Sequence, residues 1–156
     1  GDVAGPPMLA HKASHEGVGV VERLAGLHPH DLDASFIPSC TYCHPQVASI
    51  GLTEARAREA GYEVKVSKFP FIGIGKAVAI GEHDGFVKIV SDARYGEILG
   101  ATIVGPEATE IIHELVLART AELTADDLAA MIHAHPTLSE AIHEAALGID
   151  GLPLHI

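Results

Sequence analysis

The chain has 156 residues, 47% of them hydrophobic, which is enough for one domain of ordinary size with a real core. Its formal net charge of −11 and its 10 Lys and Arg argue against nucleic acid or an anionic membrane as a partner, because those surfaces recruit cations. It has neither an apolar run near the roughly 18 residues that span a bilayer nor a signal-peptide layout, and its two cysteines fit a reducing compartment, so the expected location is cytoplasmic.

The first part of the chain predicts a helix, a linker, a strand and a second helix. Residues 8–26 favour a helix that ends in a glycine. Residues 28–31 and the region around Pro38 are typical of a linker, and residues 47–52 predict a short strand. Residues 53–61 then favour a helix with a threonine as its N-cap.

The rest of the chain predicts three more strands and then three more helices. The strands are expected at residues 62–68, 85–91 and 97–104, the last two joined by a hairpin at residues 92–96. The helices are expected at residues 107–122, at residues 124–132 and after Pro136. Because strands gather in the middle and helices toward the ends, we expect an α+β fold, a central antiparallel β-sheet flanked by α-helices.

A histidine beside a proline near the end of the chain is the first candidate for chemistry. The ring of Pro136 disfavours a helical conformation for His135, so the imidazole is expected to project from an extended loop. A carboxylate such as Glu140, bonded to the far ring nitrogen, would make the imidazole a better base. The alternative is local: His135 is a loop histidine, and Glu140 forms a capping box with Thr137. One carboxylate is not expected to serve the imidazole and the Thr137 N–H equally well.

The sequence His135-Pro-Thr-Leu-Ser-Glu140 resembles the histidine motif of the flavin-dependent pyridine nucleotide–disulfide oxidoreductases. Three further stretches resemble the same family. They are Gly1-Asp2-Val3-Ala4-Gly5 with Met8-Leu-Ala-His-Lys-Ala13; Pro38-Ser39, Tyr42 and His44-Pro45 with Val47-Ala-Ser-Ile-Gly-Leu-Thr-Glu54; and Gly100-Ala-Thr-Ile-Val-Gly-Pro-Glu-Ala-Thr-Glu-Ile-Ile112. The branch that oxidises dihydrolipoamide is the most similar. Glutathione-type reductases usually follow the motif's serine with two acidic residues, where this chain has Glu140 and Ala141. Mercuric reductases end in paired cysteines, where this chain has His155 and Ile156.

The resemblance implies a role for each of seven residues. His135 would be the general base that deprotonates a dithiol, and Glu140 would orient it. The flavin would be contacted by Asp2, which would accept a hydrogen bond from its sugar-like side chain, and by the start of a helix at Met8, Leu9, Ala10 and His11. The implied cofactors are FAD and NAD. The implied partners are a second copy of the chain, whose active site would receive His135, and the lipoyl domain of a 2-oxo acid dehydrogenase or related complex.

The resemblance covers nearly every residue of this chain but only the final third of such an enzyme. No strand is followed by G-x-G-x-x-G, and the glycines of residues 72–76 have neither that spacing nor that context. The redox disulfide of the family is also absent. We therefore expect residues 1–30 to be the end of the FAD-binding domain and residues 31–156 to be the interface or dimerisation domain. Alone, this fragment is expected to be inactive and to bind no cofactor tightly.

Cys40 and Cys43 depart from the family pattern. A C-x-x-C pair can be redox-active or half of a zinc site, and with His28, His30 and His44 a Cys₂His₂ site can be drawn. The irregular spacing and the lack of a second C-x-x-C favour structural thiols, so no metal is expected.

Other polar residues near the motif are interpreted as structural. His133 is expected at a helix end, where a cationic ring suits the dipole, and His143 is not expected to be a ligand. His113 and Glu114 are expected on a polar or interfacial helix face. Three hypotheses for the chain remain: an oxidoreductase module, a non-catalytic dimerisation or binding module, and a small Cys/His metal-binding domain. A related disulfide reductase is the alternative within the first.

Overall fold

A five-stranded antiparallel sheet lies at the centre of the protein, which confirms the expected α+β fold. The computed structural model describes residues 1–156. Its strands are β1 (Ser39–Thr41), β2 (Gln46–Gly51), β3 (Val64–Pro70), β4 (Phe86–Asp92) and β5 (Ile98–Gly105), in the spatial order β1-β2-β5-β4-β3. Its helices are α1 (Ala10–Leu24), α2 (Glu54–Glu59), α3 (Gly75–Ile80), α4 (Ala108–Thr120), α5 (Ala125–Ala130) and α6 (Glu140–Leu147).

The main core lies between one face of the sheet and two helices. Helix α4 packs on β2 and β5, and α6 packs on β3 and β4. Apolar side chains of both layers are fully buried there, among them Ile89, Ile103, Ile112, Leu115 and Ile142. Burying each such side chain contributes about 1.5–3 kcal/mol to the free energy of folding. This face therefore supplies most of the apolar stabilisation and holds α6 against the sheet.

A smaller cluster forms on the opposite face of the sheet. Ala57 of α2 contacts Val90 and Leu99, and the Thr53 side chain accepts a hydrogen bond from the Arg56 N–H, as expected for the predicted N-cap. The β4–β5 hairpin is also as predicted. In the turn of this hairpin, the Asp92 carboxylate accepts a hydrogen bond from the Tyr95 N–H.

Helix α1 has a different character from the rest of the fold. Only Lys12 is buried in it, with its ammonium donating to the Gly5 carbonyl and lying 2.7 Å from Glu16 Oε1. Several of its apolar side chains are exposed, including Val18, Val21 and Leu24. No helix of the protein is long and apolar enough to cross a membrane.

Two elements were missed by the sequence analysis, and one cap was wrong. Strand β1 has three residues and exists through its pairing with β2, and α3 has six residues and begins with Gly75. Helix α6 begins at Glu140 with Ser139 as its N-cap residue, so Thr137 is not the N-cap. Elements this short carry no readable periodicity, because their backbone conformation is decided by contacts with the rest of the fold.

Candidate active site

His135 lies on the loop that leads from α5 to α6, and its side chain is 74% exposed. The peptide bond to Pro136 is cis. On one side the ring approaches the start of α3, where a Cβ on Gly75 would lie 3.9 Å from the His135 Cε1 atom. The imidazole therefore projects outward, and the start of α3 is near its Cε1 edge without a side chain against it.

Glu140 is bonded to His135 and to the backbone at the same time. Its Oε1 atom lies 2.9 Å from the His135 Nδ1 atom, and its Oε2 atom accepts a hydrogen bond of 2.8 Å from the Thr137 N–H. Since an ionised carboxylate only accepts, Nδ1 carries the ring proton. The Nε2 atom makes no hydrogen bond within the chain and can accept a proton.

The expectation that one carboxylate would not serve the imidazole and the Thr137 N–H equally well is wrong. The two oxygens of Glu140 point to different donors, so each partner has one of its own. Only half of the predicted capping box is formed, the hydrogen bond from the Thr137 N–H to Glu140. The Thr137 hydroxyl donates to the Ala134 carbonyl, 2.7 Å away, and does not cap α6.

The same contacts keep Glu140 ionised. Burial raises the pKa of its carboxyl, but hydrogen bonds from the Thr137 N–H and the His135 ring, with the charges of His135 and His155, hold the pKa below its ordinary value of 4.5. At neutral pH the group is therefore a carboxylate. It fixes the ring tautomer and would stabilise an imidazolium formed by proton uptake at Nε2.

His133 lies in quite different surroundings, although it is only two residues away. Its side chain is 6% exposed, its Nε2 atom lies 2.8 Å from Glu114 Oε1, and its Nδ1 atom lies 3.3 Å from the Met131 carbonyl oxygen. Glu114 thus joins α4 to the loop that carries His133. The His143 ring packs edge-on against His133 with 5.3 Å between the ring centroids.

A second exposed imidazole with a buried carboxylate was missed by the sequence analysis. The His155 Nδ1 atom lies 2.6 Å from Oε1 of Glu144, a side chain that is only 3% exposed. Glu140, Glu144 and His155 line one cavity of about 280 Å³ with His133 and His143. The spacing of Glu140 and Glu144 by one helical turn was the only sequence signal for this arrangement.

The residues predicted to contact a flavin lie together at the start of the chain. Asp2 is exposed in a 3₁₀ turn, Asp2–Ala4, and its carboxylate makes no hydrogen bond. Met8 and Leu9 precede α1, which begins at Ala10 and has no side-chain cap. The His11 Nε2 atom lies 2.8 Å from the Pro38 carbonyl oxygen. The unpaired carboxylate and the uncapped helix start fit the implied contacts with a flavin.

Cys40 and Cys43 are both free thiols. Cys43 is exposed, and its Sγ atom lies 3.0 Å from the Pro45 carbonyl oxygen. Burial, helped by the charge of Glu110, raises the pKa of the Cys40 thiol, which makes it a poor nucleophile. The side chains of the protein form no group of three or more His, Cys, Asp or Glu residues that could hold a metal ion, so the Cys₂His₂ arrangement is not assembled.

Comparisons with known proteins support the family resemblance of the sequence. Residues 37–146 match the pyridine nucleotide-disulphide oxidoreductase dimerisation domain. The chain is 56% identical to the dihydrolipoyl dehydrogenase of Zymomonas mobilis and 52% identical to that of Bacillus subtilis, each over 99% of this chain but only 34% and 33% of the relative. The chain thus spans about a third of the length of these curated relatives.

A solved structure shares the fold. The HOCl-induced flavoprotein disulfide reductase RclA of Escherichia coli superposes with a TM-score of 0.87 at 25% sequence identity, covering 94% of this chain and 34% of RclA. Because 94% of this chain is covered, the similarity includes the helices as well as the sheet.

Proposed function

The chain belongs to the pyridine nucleotide-disulphide oxidoreductases through their dimerisation domain, and from this premise we propose that it is the C-terminal third of a dihydrolipoyl dehydrogenase. The full-length enzyme would oxidise protein-bound dihydrolipoamide with NAD. The bonded pair His135 and Glu140 carries the proposal, because it leaves one basic nitrogen free at an exposed edge of the domain.

The chemical role of His135 would be removal of a thiol proton. A free thiol has a pKa of about 8.5 and is mostly protonated at neutral pH, whereas only its thiolate attacks a disulfide. The His135 Nε2 atom would accept the proton as the sulfur attacks. The resulting imidazolium would be stabilised by Glu140, whose low pKa keeps it ionised. His135 would serve the disulfide of the other subunit in a homodimer.

The start of the chain would complete a flavin site with a domain that precedes it. Residues 1–30 would be the end of the FAD-binding domain and residues 31–156 the interface domain, in agreement with the family match at residues 37–146. Asp2 would accept a hydrogen bond from the flavin side chain. The N–H groups at Met8, Ala10 and His11 would face its ring, whereas the Leu9 N–H donates to the Pro7 carbonyl. FAD, when bound, would pass electrons from the dithiol to NAD.

The dihydrolipoamide would be presented by the lipoyl domain of a 2-oxo acid dehydrogenase or related complex. The assignment to dihydrolipoamide, and not to the substrate of another disulfide oxidoreductase, is supported by identities of 52–56% to dihydrolipoyl dehydrogenases. A related disulfide reductase is the second candidate, supported by the fold shared with RclA. The two cysteines are consistent with a reducing compartment such as the cytoplasm.

Substitution of the base in the full-length enzyme tests the proposal. His135→Gln should lower turnover with dihydrolipoamide by about 10²–10⁴-fold, the usual contribution of a general base. Reduction of ferricyanide by NADH, which requires the flavin but no dithiol, should stay unchanged and serves as the control for folding and flavin content. Unchanged turnover with dihydrolipoamide would reject the role of His135. Turnover of another disulfide in preference to the lipoyl group would favour the second candidate.

A further inference from the structure

A buried carboxylate holds the 152–156 segment in place. Glu144 lies on α6, and its Oε2 atom accepts hydrogen bonds from the Leu154 N–H at 2.7 Å and the His155 N–H at 3.4 Å. Its Oε1 atom lies 2.6 Å from the His155 Nδ1 atom. Three donors of one segment thus converge on a single carboxylate, and hydrogen bonds to a charged acceptor are among the strong ones.

The held segment continues onto the loop before α3. The Ile156 side chain packs directly on Gly73, where an added Cβ would lie 2.5 Å from the Ile156 Cδ1 atom. The same added Cβ would lie 2.8 Å from the Phe69 ring. Gly73 therefore leaves just enough room for Ile156, and a larger residue there would displace the segment.

The held segment also lies beside the carboxylate that orients His135. Glu140 bonds to the His135 Nδ1 atom and shares a cavity with His155. Glu144 follows Glu140 by one turn of α6, so both carboxylates line this cavity. The 152–156 segment therefore packs beside the carboxylate of the His135–Glu140 pair.

We propose that Glu144 is a positioning residue for the proton acceptor His135. By fastening Leu154 and His155, it keeps the His155 imidazole in the cavity beside Glu140, the carboxylate that bonds to the His135 Nδ1 atom. This inference rests on the proposed function, since it assumes that His135 is the base. Glu144 itself does not touch the substrate.

Four variants of the full-length enzyme test the role. Glu144→Ala and His155→Ala remove the acceptor and the side-chain donor, and each should lower kcat for dihydrolipoamide by about tenfold, within what a small misplacement of a catalytic group costs. KM and the NADH–ferricyanide reaction should not change. Glu144→Gln and His155→Asn each keep a hydrogen-bonding group in place and should restore most of kcat. The His155 side chain is 60% exposed, so the His155 variants should fold normally. They keep the test valid if loss of the buried Glu144 prevents folding.

A matched control removes a carboxylate nearby that does not hold the segment. Asp150 pairs with Lys65 at 2.7 Å, and Asp150→Asn should leave kcat unchanged. Wild-type kcat in both alanine variants would overturn the inference. So would a parallel loss of both activities, or a change in KM alone, since these indicate a merely structural role. If His135→Gln is itself without effect, the proposed function fails; if only the Glu144 and His155 variants are without effect, this inference alone fails.

Discussion

Two histidines only two residues apart carry the same kind of partner and differ in almost everything else. His135 and His133 each lie within 3 Å of a glutamate oxygen, but the first side chain is 74% exposed and the second 6%. His133 has both ring nitrogens near oxygen atoms of the protein, whereas His135 keeps Nε2 free. An imidazole paired with a carboxylate therefore identifies a candidate base only when its second nitrogen is accessible.

The two pairs also connect different parts of the fold. Glu114 of α4 holds the loop of His133 to a helix that packs on the sheet, a contact between distant segments. Glu140 is five residues from His135, and the pair is local. The first pair thus contributes to the stability of the domain, and the second orients one side chain. Three predictions test this distinction.

The largest effect is expected from the buried pair. His133→Ala should lower the free energy of unfolding by about 3 kcal/mol, because it leaves Glu114 without its partner and removes the packing on His143. His135→Ala, the matched control, should cost less than about 1 kcal/mol, as for an exposed ion pair. Urea denaturation of the two variants measures both. Equal losses would mean that exposure does not separate the roles of the two histidines.

A smaller effect is expected at the exposed pair, in activity. Glu140→Gln in the full-length enzyme should lower turnover with dihydrolipoamide roughly 30-fold, the rate equivalent of about 2 kcal/mol for a charge-assisted hydrogen bond. Glu114→Gln is the control and should leave turnover nearly unchanged. Steady-state kinetics with dihydrolipoamide measures turnover of the two variants. A larger loss for Glu114→Gln would show that the buried pair governs the chemistry.

The smallest effect is the pH dependence of stability from Glu140. Because its pKa is lower in the folded protein than the ordinary 4.5, the unfolded chain binds the proton more readily, and the stabilisation is complete above pH 4.5. It is lost as the pH falls through the lowered pKa. The difference in unfolding free energy between the wild type and Glu140→Gln should therefore shrink on acidification. A difference that grows toward low pH would contradict the assigned direction.

Much of the fold was readable from local patterns. The strands β2 to β5 and the helices α1, α2, α4 and α5 lie where alternation, helical periodicity and caps predict them. The capping box at Thr124 and Asp127 is fully formed. The failures are the short elements β1 and α3 and the start of α6, where the Thr137 hydroxyl bonds to Ala134. At β1 the pairing with β2 decided the conformation, and at the start of α6 this local hydrogen bond replaced the predicted cap.

The candidate site divides in the same way. His135 and Glu140 are close in sequence and carry a specific motif, so the pair was predictable, and only the assignment of each Glu140 oxygen needed coordinates. The pairing of His133 with Glu114, and of His155 with Glu144, joins residues 19 and 11 positions apart. Neither pairing leaves a signal in composition or spacing; the one-turn spacing of Glu140 and Glu144 indicates only that the two carboxylates share a helix face.

Residue types, periodicity and short motifs were enough to predict the α+β class, the family resemblance and the identity of the exposed imidazole. The burial of individual histidines, the carboxylate that each one meets and the contact of Ile156 with Gly73 followed only from the packed fold. The physical reason is that burial and long-range hydrogen bonds arise when distant segments pack on the same sheet, and no local property of the chain specifies that packing.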